Sequence, residues 1–363
     1  MAEVPGAHPR PTTLLRVRAW FRVRALMTGL VTALVTGLLV GPAPAGASKQ
    51  RPPHVVAWVA TDASVTEPGS AITPVDLTTR TVERKVSVAT LPEAASLPCA
   101  FALIPGGAGV LVVSLGDDTL HEIDPSTDRV THAVTVGLEP DAVAVAVGGP
   151  GVPDLALVAN LDDNSVTPVD LTTWKAGKPI PVGTEPVAIA VAQSGPLSGT
   201  AYVADFGSNQ VTPIDLATLQ PGAPIAVGDE PQTLAVAGGE VLVGNFGNRS
   251  LTPIVIATGK PGAAVSLPLD PTGIAVTQSG LTAYISGGAS VVPLAVNGLT
   301  IGSPTALGGV AEAIALNPGD ATAWVAIQSG SIEPVTLATG RVGRAIHLGG
   351  HPSALVIAER RSG

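Results

Sequence analysis

Acidic residues followed by proline recur in this sequence at nearly constant spacing. They belong to a Gly-x-acid-Pro pattern or a close variant of it, and the four are Glu139, Glu185, Glu230 and Asp270. Carboxylates gathered in one place would coordinate a divalent cation such as Ca²⁺ or Mg²⁺, or attract a cationic ligand. The alternative is structural, because such a carboxylate often accepts backbone N–H groups of its own turn. The sequence therefore predicts either a ligand-binding acidic ring or a repeated turn.

Three further turns are equivalent in position but carry Leu97, Val310 and His351 instead of an acid. His351 would lie beside the carboxylates, where a histidine is suited to acid–base chemistry. Glu185, Glu230 and His351 are therefore the candidate catalytic residues. The chain has no G-x-S-x-G, H-E-x-x-H, C-x-x-C, phosphate-loop or EF-hand motif, so no linear motif supports an enzyme.

Two other histidine pairs are candidates for metal binding or close approach. If Asp124 pairs with Arg129 across its hairpin, His121 faces His132, and two imidazoles could share zinc or copper. A solvated pair without metal is the alternative. His54 and His351 bracket the repeated region, and we expect them to approach each other.

Polar residues at four hairpin tips, 117–118, 162–164, 207–209 and 247–250, would form a rim on the same face as the acidic turns. The candidate ligand-binding residues among them are Asp163, Asn164, Asn209 and Asn248. Asn, Asp, Gly and Ser are also the residues that tight turns require, so a purely structural rim is the alternative.

A repeated segment positions all of these residues. Its third strand carries the motif T-P-[VI]-D-L, and the seven copies begin at intervals of 40 to 48 residues, at 72–77, 120–125, 166–171, 211–216, 251–256, 291–296 and 332–337. Each copy holds four short apolar segments separated by turn residues. A repeat of this length with four strands predicts an all-β, seven-bladed β-propeller with four-stranded blades.

The repeat also predicts how the ring closes and which residues form its interior. The first copy lacks the proline-led innermost strand, and such a strand follows His351 at the end of the chain. We expect this C-terminal strand to close the ring on the N-terminal blade. The third-strand proline should lie either where its missing N–H faces away from a partner strand or at a bulge, with a fourth strand such as 223–227 outside it. Cys99 and the period-matched aromatic residues should be buried, with a reactive thiol at Cys99 as the alternative; the aromatic residues are Trp58, Tyr202, Tyr284 and Trp324.

The first 47 residues have the layout of an export signal. Four arginines between 16 and 24 precede an uncharged stretch at 25–40 and small residues at 45–47, as in a cleavable signal. That stretch is shorter than a membrane span, which needs about 20 residues. An uncleaved membrane anchor is the alternative. The expected division is a signal at 1–47, a linker at 48–53, the propeller at 54–359 and a tail at 360–363.

The charge of the chain limits its partners. Loss of residues 1–47 removes five Arg and one Glu, which changes the net charge of −9 by −4 to −13. A strongly acidic domain with dispersed basic residues is a poor nucleic-acid binder. A protein, a glycan or a small molecule remains a possible partner, and a membrane only through an uncleaved signal.

The copies resemble the YVTN repeat of exported bacterial and archaeal propellers, the YncE-like, WD40-like group. The matching residues in the fourth copy are Tyr202-Val203-Ala204-Asp205, Asn209, Val211, Ile214-Asp215-Leu216 and Gly228-Asp229-Glu230-Pro231. The resemblance covers about 54–359 and implies the fold and an extracellular or cell-envelope location. Copies five to seven depart from it, since Val255, Ala295 and Thr336 replace the strand aspartate.

The resulting expectation is a binding or interaction module that acts through its channel mouth and rim loops. The first alternative is a metal-dependent propeller enzyme of the lactonase or lyase type that uses the acidic ring. The second is a structural protein of the cell envelope.

Overall fold

The computed structural model describes residues 54–62, 71–88, 97–195 and 198–360. In these residues seven antiparallel sheets form the seven blades of a β-propeller, which confirms the predicted fold class. The export segment at 1–47, the linker at 48–53 and residues 361–363 lie outside the described residues. No helix among the described residues is long and apolar enough to cross a membrane.

The blades follow one another along the chain, and each is built from its innermost strand outwards. Blades 1 to 3 consist of His351–Arg360, His54–Asp62, Ala71–Asp76 and Thr81–Val82; Pro98–Leu103, Val110–Ser114, Thr119–Asp124 and Arg129–Thr135; and Pro140–Ala146, Leu155–Asn160, Ser165–Asp170, Lys175–Ala176 and Ile180–Pro181. Short 3-10 turns occupy Pro105–Gly107, Leu115–Asp117 and Phe206–Ser208.

Blades 4 to 7 repeat the same order. They consist of Pro186–Gly195, Ser198–Asp205, Gln210–Asp215, Gln220–Pro221 and Ile225–Ala226; Pro231–Ala237, Glu240–Asn245, Ser250–Val255, Lys260–Pro261 and Val265–Ser266; Gly273–Val276, Thr282–Gly287, Ser290–Ala295, Thr300–Ile301 and Thr305–Ala306; and Ala311–Leu316, Thr322–Ile327, Ser331–Thr336, Arg341–Val342 and Ile346–His347.

The ring closes as predicted. The C-terminal strand His351–Arg360 pairs antiparallel with His54–Asp62 and becomes the innermost strand of blade 1. At its end the Arg360 guanidinium donates to Glu83 at 2.8 Å and to Asp128 of blade 2 at 2.7 Å. The closing strand is therefore held by a sheet and by charged hydrogen bonds to two blades.

The expectation that His54 and His351 approach each other is wrong. The register pairs His54 with Arg360 and His351 with Asp62, so the two histidines lie at opposite ends of the paired strands. Antiparallel pairing over the full strand length causes this separation. His54 instead contacts Asp76 through its Nδ1, at 2.6 Å.

A proline and a glycine shape the outer edge of blades 3 to 7. The carbonyl of the third-strand proline accepts the N–H of a glycine in the outer segment, as in Gly222 to Pro213 at 2.7 Å. A Cβ on that glycine would lie 3.1 Å from Pro213 Cγ. In an antiparallel strand the N–H and the carbonyl of one residue point to the same neighbouring strand. Proline has no N–H to pair with the outer strand, so the outer strand bulges there and divides in two. Of the two predicted positions for the proline, the structure shows the bulge, and the predicted single strand at 223–227 is corrected to Gln220–Pro221 and Ile225–Ala226.

The core lies between neighbouring blades. One buried cluster contains Trp58, Phe101 and Val356 and joins blades 1 and 2, and another surrounds Tyr202 and joins blades 3, 4 and 5. Trp58, Tyr202 and Trp324 are buried as predicted, whereas Tyr284 is half-buried. These contacts hold every blade in a fixed position relative to its neighbours.

The ring has two faces, which we name by their loops. The linker face carries the hairpin tips between second and third strands and the links from each outer strand to the next innermost strand. The rear face carries the loops from innermost to second strands and the hairpins from third to outer strands. Every predicted acidic turn and rim residue lies on the linker face.

Candidate functional site

The predicted acidic turns connect neighbouring blades through their backbone. Glu139, Glu185 and Glu230 have φ values of 51°, 52° and 53°, the left-handed conformation of a tight turn. Their N–H groups donate to a side-chain oxygen at the tip of the preceding blade: Glu139 to Asp118 at 2.9 Å, Glu185 to Asn164 at 2.8 Å and Glu230 to Asn209 at 2.8 Å.

The same residues also bind the following blade. Their carbonyl oxygens accept N–H groups at its tip, from Leu161, Phe206 and Phe246, each at 2.9 Å. Each acidic residue therefore fastens two blades with main-chain groups. These bonds differ from the predicted structural alternative, in which the carboxylate itself would accept N–H groups of its turn, and Asn164 and Asn209 are acceptors in this arrangement.

At the fourth acidic turn the contact is an ion pair instead. Arg249 donates from Nε to Asp270 Oδ1 at 2.6 Å. The tip residue Asn248 accepts a hydrogen bond from the Ser250 hydroxyl at 2.7 Å. This turn therefore lies at the position equivalent to the other three, but Arg249 neutralises the charge of its carboxylate.

Buried polar side chains support the tips from inside, and sequence reasoning missed them as a set. Asn160 donates from Nδ2 to Ser165 Oγ and Thr167 Oγ1 at 3.0 and 2.9 Å, and accepts Gly137 N–H at 3.1 Å. Asn245 makes the corresponding two donations in blade 5. The signal was present, since both residues end the second strand of their copies.

Blade 4 carries a carboxyl group, Asp205, in this buried position. It is fully buried and accepts a hydrogen bond from Thr212 Oγ1 at 2.6 Å. Burial raises the pKa of Asp205 to about 6, and the Thr212 hydrogen bond opposes the rise. An apolar surrounding disfavours the charged carboxylate.

The prediction that His121 faces His132 is wrong. Asp124 does pair with Arg129, but a bulge after Val130 places His132 opposite Glu122 and His121 opposite Ala133. His132 Nδ1 lies 2.7 Å from Glu122 Oε2, and its ring stacks on Trp174 of blade 3 with centroids 4.5 Å apart. His121 is buried, with its Nε2 3.6 Å from Asp117 Oδ2.

The remaining predicted residues occupy ordinary structural positions. His351 is exposed, and its Nδ1 lies 2.8 Å from the Gln328 carbonyl in blade 7. Asp163 Oδ2 accepts the Leu138 N–H at 2.8 Å. Cys99 is buried as predicted, and its thiol lies 3.1 Å from the Pro140 carbonyl oxygen.

The described residues contain no group of three or more His, Cys, Asp or Glu side chains arranged to hold a metal ion. The structure thus places the four ring carboxylates in successive turns without gathering them into a ligand set. The divalent-cation site therefore stays a prediction.

The linker face has a net negative charge because its carboxylates are accompanied by almost no basic residues among those described. The pKa of Asp118 is raised by burial first and then by the neighbouring charges of Asp117, Asp163 and Asp162. Among the described residues, Arg249 is the single Lys or Arg on this face. The others lie on the outer strands or the rear face: Arg80, Arg84, Lys85, Arg129, Lys175, Lys178, Lys260, Arg341, Arg344 and Arg360. The arrangement produces an anionic surface on one side of the ring.

Comparison with known proteins shows the fold and no family. No family model matches the chain, and no curated protein matches it. Solved structures do, at 16% identity in each of three cases. A functionally unknown protein from Desulfotomaculum acetoxidans DSM 771 has a TM-score of 0.69, with 84% of this chain and 99% of that chain covered.

The other two structures carry functional names. A "putative 6-phosphogluconolactonase" from Bacteroides uniformis ATCC 8492 has a TM-score of 0.66 over 85% of this chain and 100% of that chain. The Kuenenia stuttgartiensis hydrazine synthase has a TM-score of 0.63 over 76% and 99%. At this sequence identity the similarity shows the propeller fold alone, because one fold carries many functions.

Proposed function

We propose that this protein is an interaction module that binds a positively charged protein segment through its linker face. The observation that carries the proposal is the net negative charge of the linker face, since the described basic residues lie almost entirely on the outer strands and the rear face. Carboxylates from several successive blades lie on the linker face, with Arg249 as the one basic residue there among those described: Asp118, Glu139, Asp162, Asp163, Glu185, Asp229, Glu230 and Asp270.

The distribution of these carboxylates favours an extended partner. They follow an arc from blade 2 to blade 6 at successive tips and links, and they do not converge on one point. A chain bearing several Lys or Arg side chains can contact such an arc at many places, and a single metal ion cannot. A nucleic acid would be repelled by the same charges.

Rigidity of the turns supports the same proposal. The backbone of Glu185 is fixed by hydrogen bonds on both sides, to Asn164 and from Phe206, while its side chain is exposed. Because the backbone is already fixed, binding at this turn has to order the side chain alone. The turn therefore combines a structural role for the main chain with a binding role for the side chain.

Family and location are part of the proposal. The YVTN-like motifs support an exported, YncE-like propeller of bacterial type, and the layout of residues 1–47 supports export to the cell surface or surroundings. Partners in that location include basic protein segments.

Isothermal titration calorimetry with a lysine-rich peptide tests the proposal. We expect binding at low salt that weakens as salt rises, since exposed charges are screened within about 10 Å at 0.1 M. The double variant Glu185→Gln/Glu230→Gln should bind about three- to tenfold more weakly. A matched control, Asp170→Asn/Asp215→Asn, removes two rear-face carboxylates and should bind like the wild type. Equal losses in both double variants would refute the proposal.

An activity assay on the same protein tests the lactonase alternative. It requires a divalent cation at Glu139, Glu185, Glu230 and Asp270, for which the structure offers no ready ligand set. Lactone hydrolysis that depends on Ca²⁺ or Mg²⁺ and is lost in Glu185→Gln would replace the interaction module with an enzyme.

A further inference from the structure

A cavity of about 260 Å³ lies at the rear mouth of the central channel, opposite the acidic turns. Its walls come from the far ends of the innermost strands of blades 2, 3, 4 and 7 and of the closing strand, together with the loop of blade 6. The site therefore draws on six of the seven blades and is separate from the linker face.

The walls of the cavity are mainly apolar. Small and branched side chains such as Ala144, Val191, Ala315 and Ile357 line it, and Pro105 closes one side. Cavities that bind drug-sized molecules usually measure about 300–1,000 Å³. A volume just below that range suits a small organic molecule with an apolar body.

The polar residues of the cavity are two carboxylates, Asp320 and Glu359, and two amides, Gln278 and Asn317. Asp320 is held in place, because its Oδ2 accepts the Gln278 N–H at 2.7 Å across the blade 6–blade 7 boundary. No lysine or arginine lines the cavity among the described residues. Arg360, the neighbour of Glu359, is occupied by Glu83 and Asp128.

We propose that the rear-face cavity binds a small organic cation, an amine with an apolar body. The apolar walls would take the body, and the carboxylates of Asp320 and Glu359 would take the ammonium group. A cation in this position neutralises two like charges, and the apolar part is removed from water. The proposal is independent of the linker-face function.

Titration calorimetry on the full chain, with 2-phenylethylamine as the probe, tests this proposal. We expect a dissociation constant of about 0.1–1 mM, as befits a ligand of this size. The uncharged analogue 2-phenylethanol should bind about fivefold more weakly, because it lacks the ion pair. Equal affinity for the two probes, or no binding of either, would overturn the proposal.

Variants locate the binding. Glu359→Gln and Asp320→Asn should each weaken amine binding about two- to fivefold, and the asparagine keeps an oxygen for the Gln278 N–H. Ala358→Leu, at the half-buried mouth of the cavity, should abolish binding, and thermal denaturation checks that this variant is folded. Asp215→Asn, a rear-face carboxylate outside the cavity, is the control. Amine binding unaffected by both Glu359→Gln and Ala358→Leu would place the ligand elsewhere.

The chain itself offers a competing cation. Residues 48–53 contain Lys49 and Arg51, and the described chain begins at His54, whose partner in the sheet is Arg360, next to Glu359. A Lys49→Ala/Arg51→Ala variant should bind the amine like the wild type. A clear rise in affinity would overturn the proposal of a free ligand in favour of the chain's own segment.

Discussion

The two faces of the ring differ in how they are built and in what they present. On the linker face, a tip side chain and an acidic turn bind each other across three blade boundaries, at Asp118–Glu139, Asn164–Glu185 and Asn209–Glu230. On the rear face the repeated bonds lie within single hairpins, where the third-strand aspartate accepts turn N–H groups, as at Asp76, Asp170 and Asp215, and a cavity occupies the channel mouth. The repeat therefore joins neighbouring blades on one face and shapes individual hairpins on the other.

The difference shows how one residue type serves two purposes. The backbone of Glu139, Glu185 and Glu230 joins neighbouring blades. Their side chains take no part in these bonds and contribute to the charge of the surface. The rear face places its basic residues on outer strands and hairpins instead, which leaves an electrostatic contrast across the ring.

The largest expected effect concerns the buried amides behind the linker face. Asn245→Leu should lower the free energy of unfolding by about 2–4 kcal/mol, because it removes two buried hydrogen bonds and takes from the buried Thr252 hydroxyl the donor that it has in Asn245. Chemical denaturation measures the change. Asn297→Ala, in an exposed rear-face hairpin, is the control and should change stability by less than about 0.5 kcal/mol. If Asn245→Leu and Asn297→Ala lowered the free energy of unfolding equally, the proposed difference between the two faces would be wrong.

A second effect depends on pH and concerns Asp205. The pKa of this carboxyl is raised from 3.8 to about 6, so the folded protein holds the proton more tightly than the unfolded chain. The free energy of unfolding therefore falls as pH rises through about 4 to 6, and the loss persists above pH 6. Asp205→Asn should stabilise the protein by about 1–3 kcal/mol at pH 8 and hardly at all at pH 4.

The control for that prediction is Asp215→Asn. Asp215 is exposed, and hydrogen bonds from Thr218 lower its pKa, so its loss should slightly destabilise the protein above pH 4. Thermal denaturation of both variants across pH 4–8 makes the comparison. A stability of Asp205→Asn that matches the wild type at pH 8 would contradict the assignment of a buried, costly carboxylate.

The smallest effect concerns the closing strand, whose end lies on the rear face. Arg360→Ala should lower the free energy of unfolding by about 1–2 kcal/mol, since it removes charged hydrogen bonds to Glu83 and Asp128. Peptide binding on the linker face should not change. Arg341→Ala, an exposed rear-face arginine, should leave both properties unaltered. Loss of peptide binding in Arg360→Ala would show that the two faces are coupled.

Much of the architecture was readable from the sequence because it depends on local patterns. The third-strand motif placed all seven blades, and the missing innermost strand of the first copy predicted the closure by His351–Arg360. The bulge opposite the third-strand proline was one of the two arrangements that its missing N–H allowed. Each of these inferences rests on a few neighbouring residues.

The features that escaped prediction depend on register or on distant contacts. One extra residue in the outer strand of blade 2 turned His132 towards Glu122, and no periodic pattern signals a bulge. Asn160 and Asn245 resemble turn residues in the sequence, although they are buried. The rear cavity is lined by small residues such as Ala102, Ala144 and Ala315, whose types do not differ from those of the core.

Cross-linking with a zero-length carbodiimide reagent would test the central claim most directly. A lysine-rich peptide joined to carboxylates of the intact protein can be mapped by mass spectrometry. The account predicts cross-links at linker-face residues, chiefly Glu139, Glu185, Glu230 and Asp163. Cross-links concentrated at rear-face carboxylates such as Asp170, Asp215 and Glu359 would contradict it.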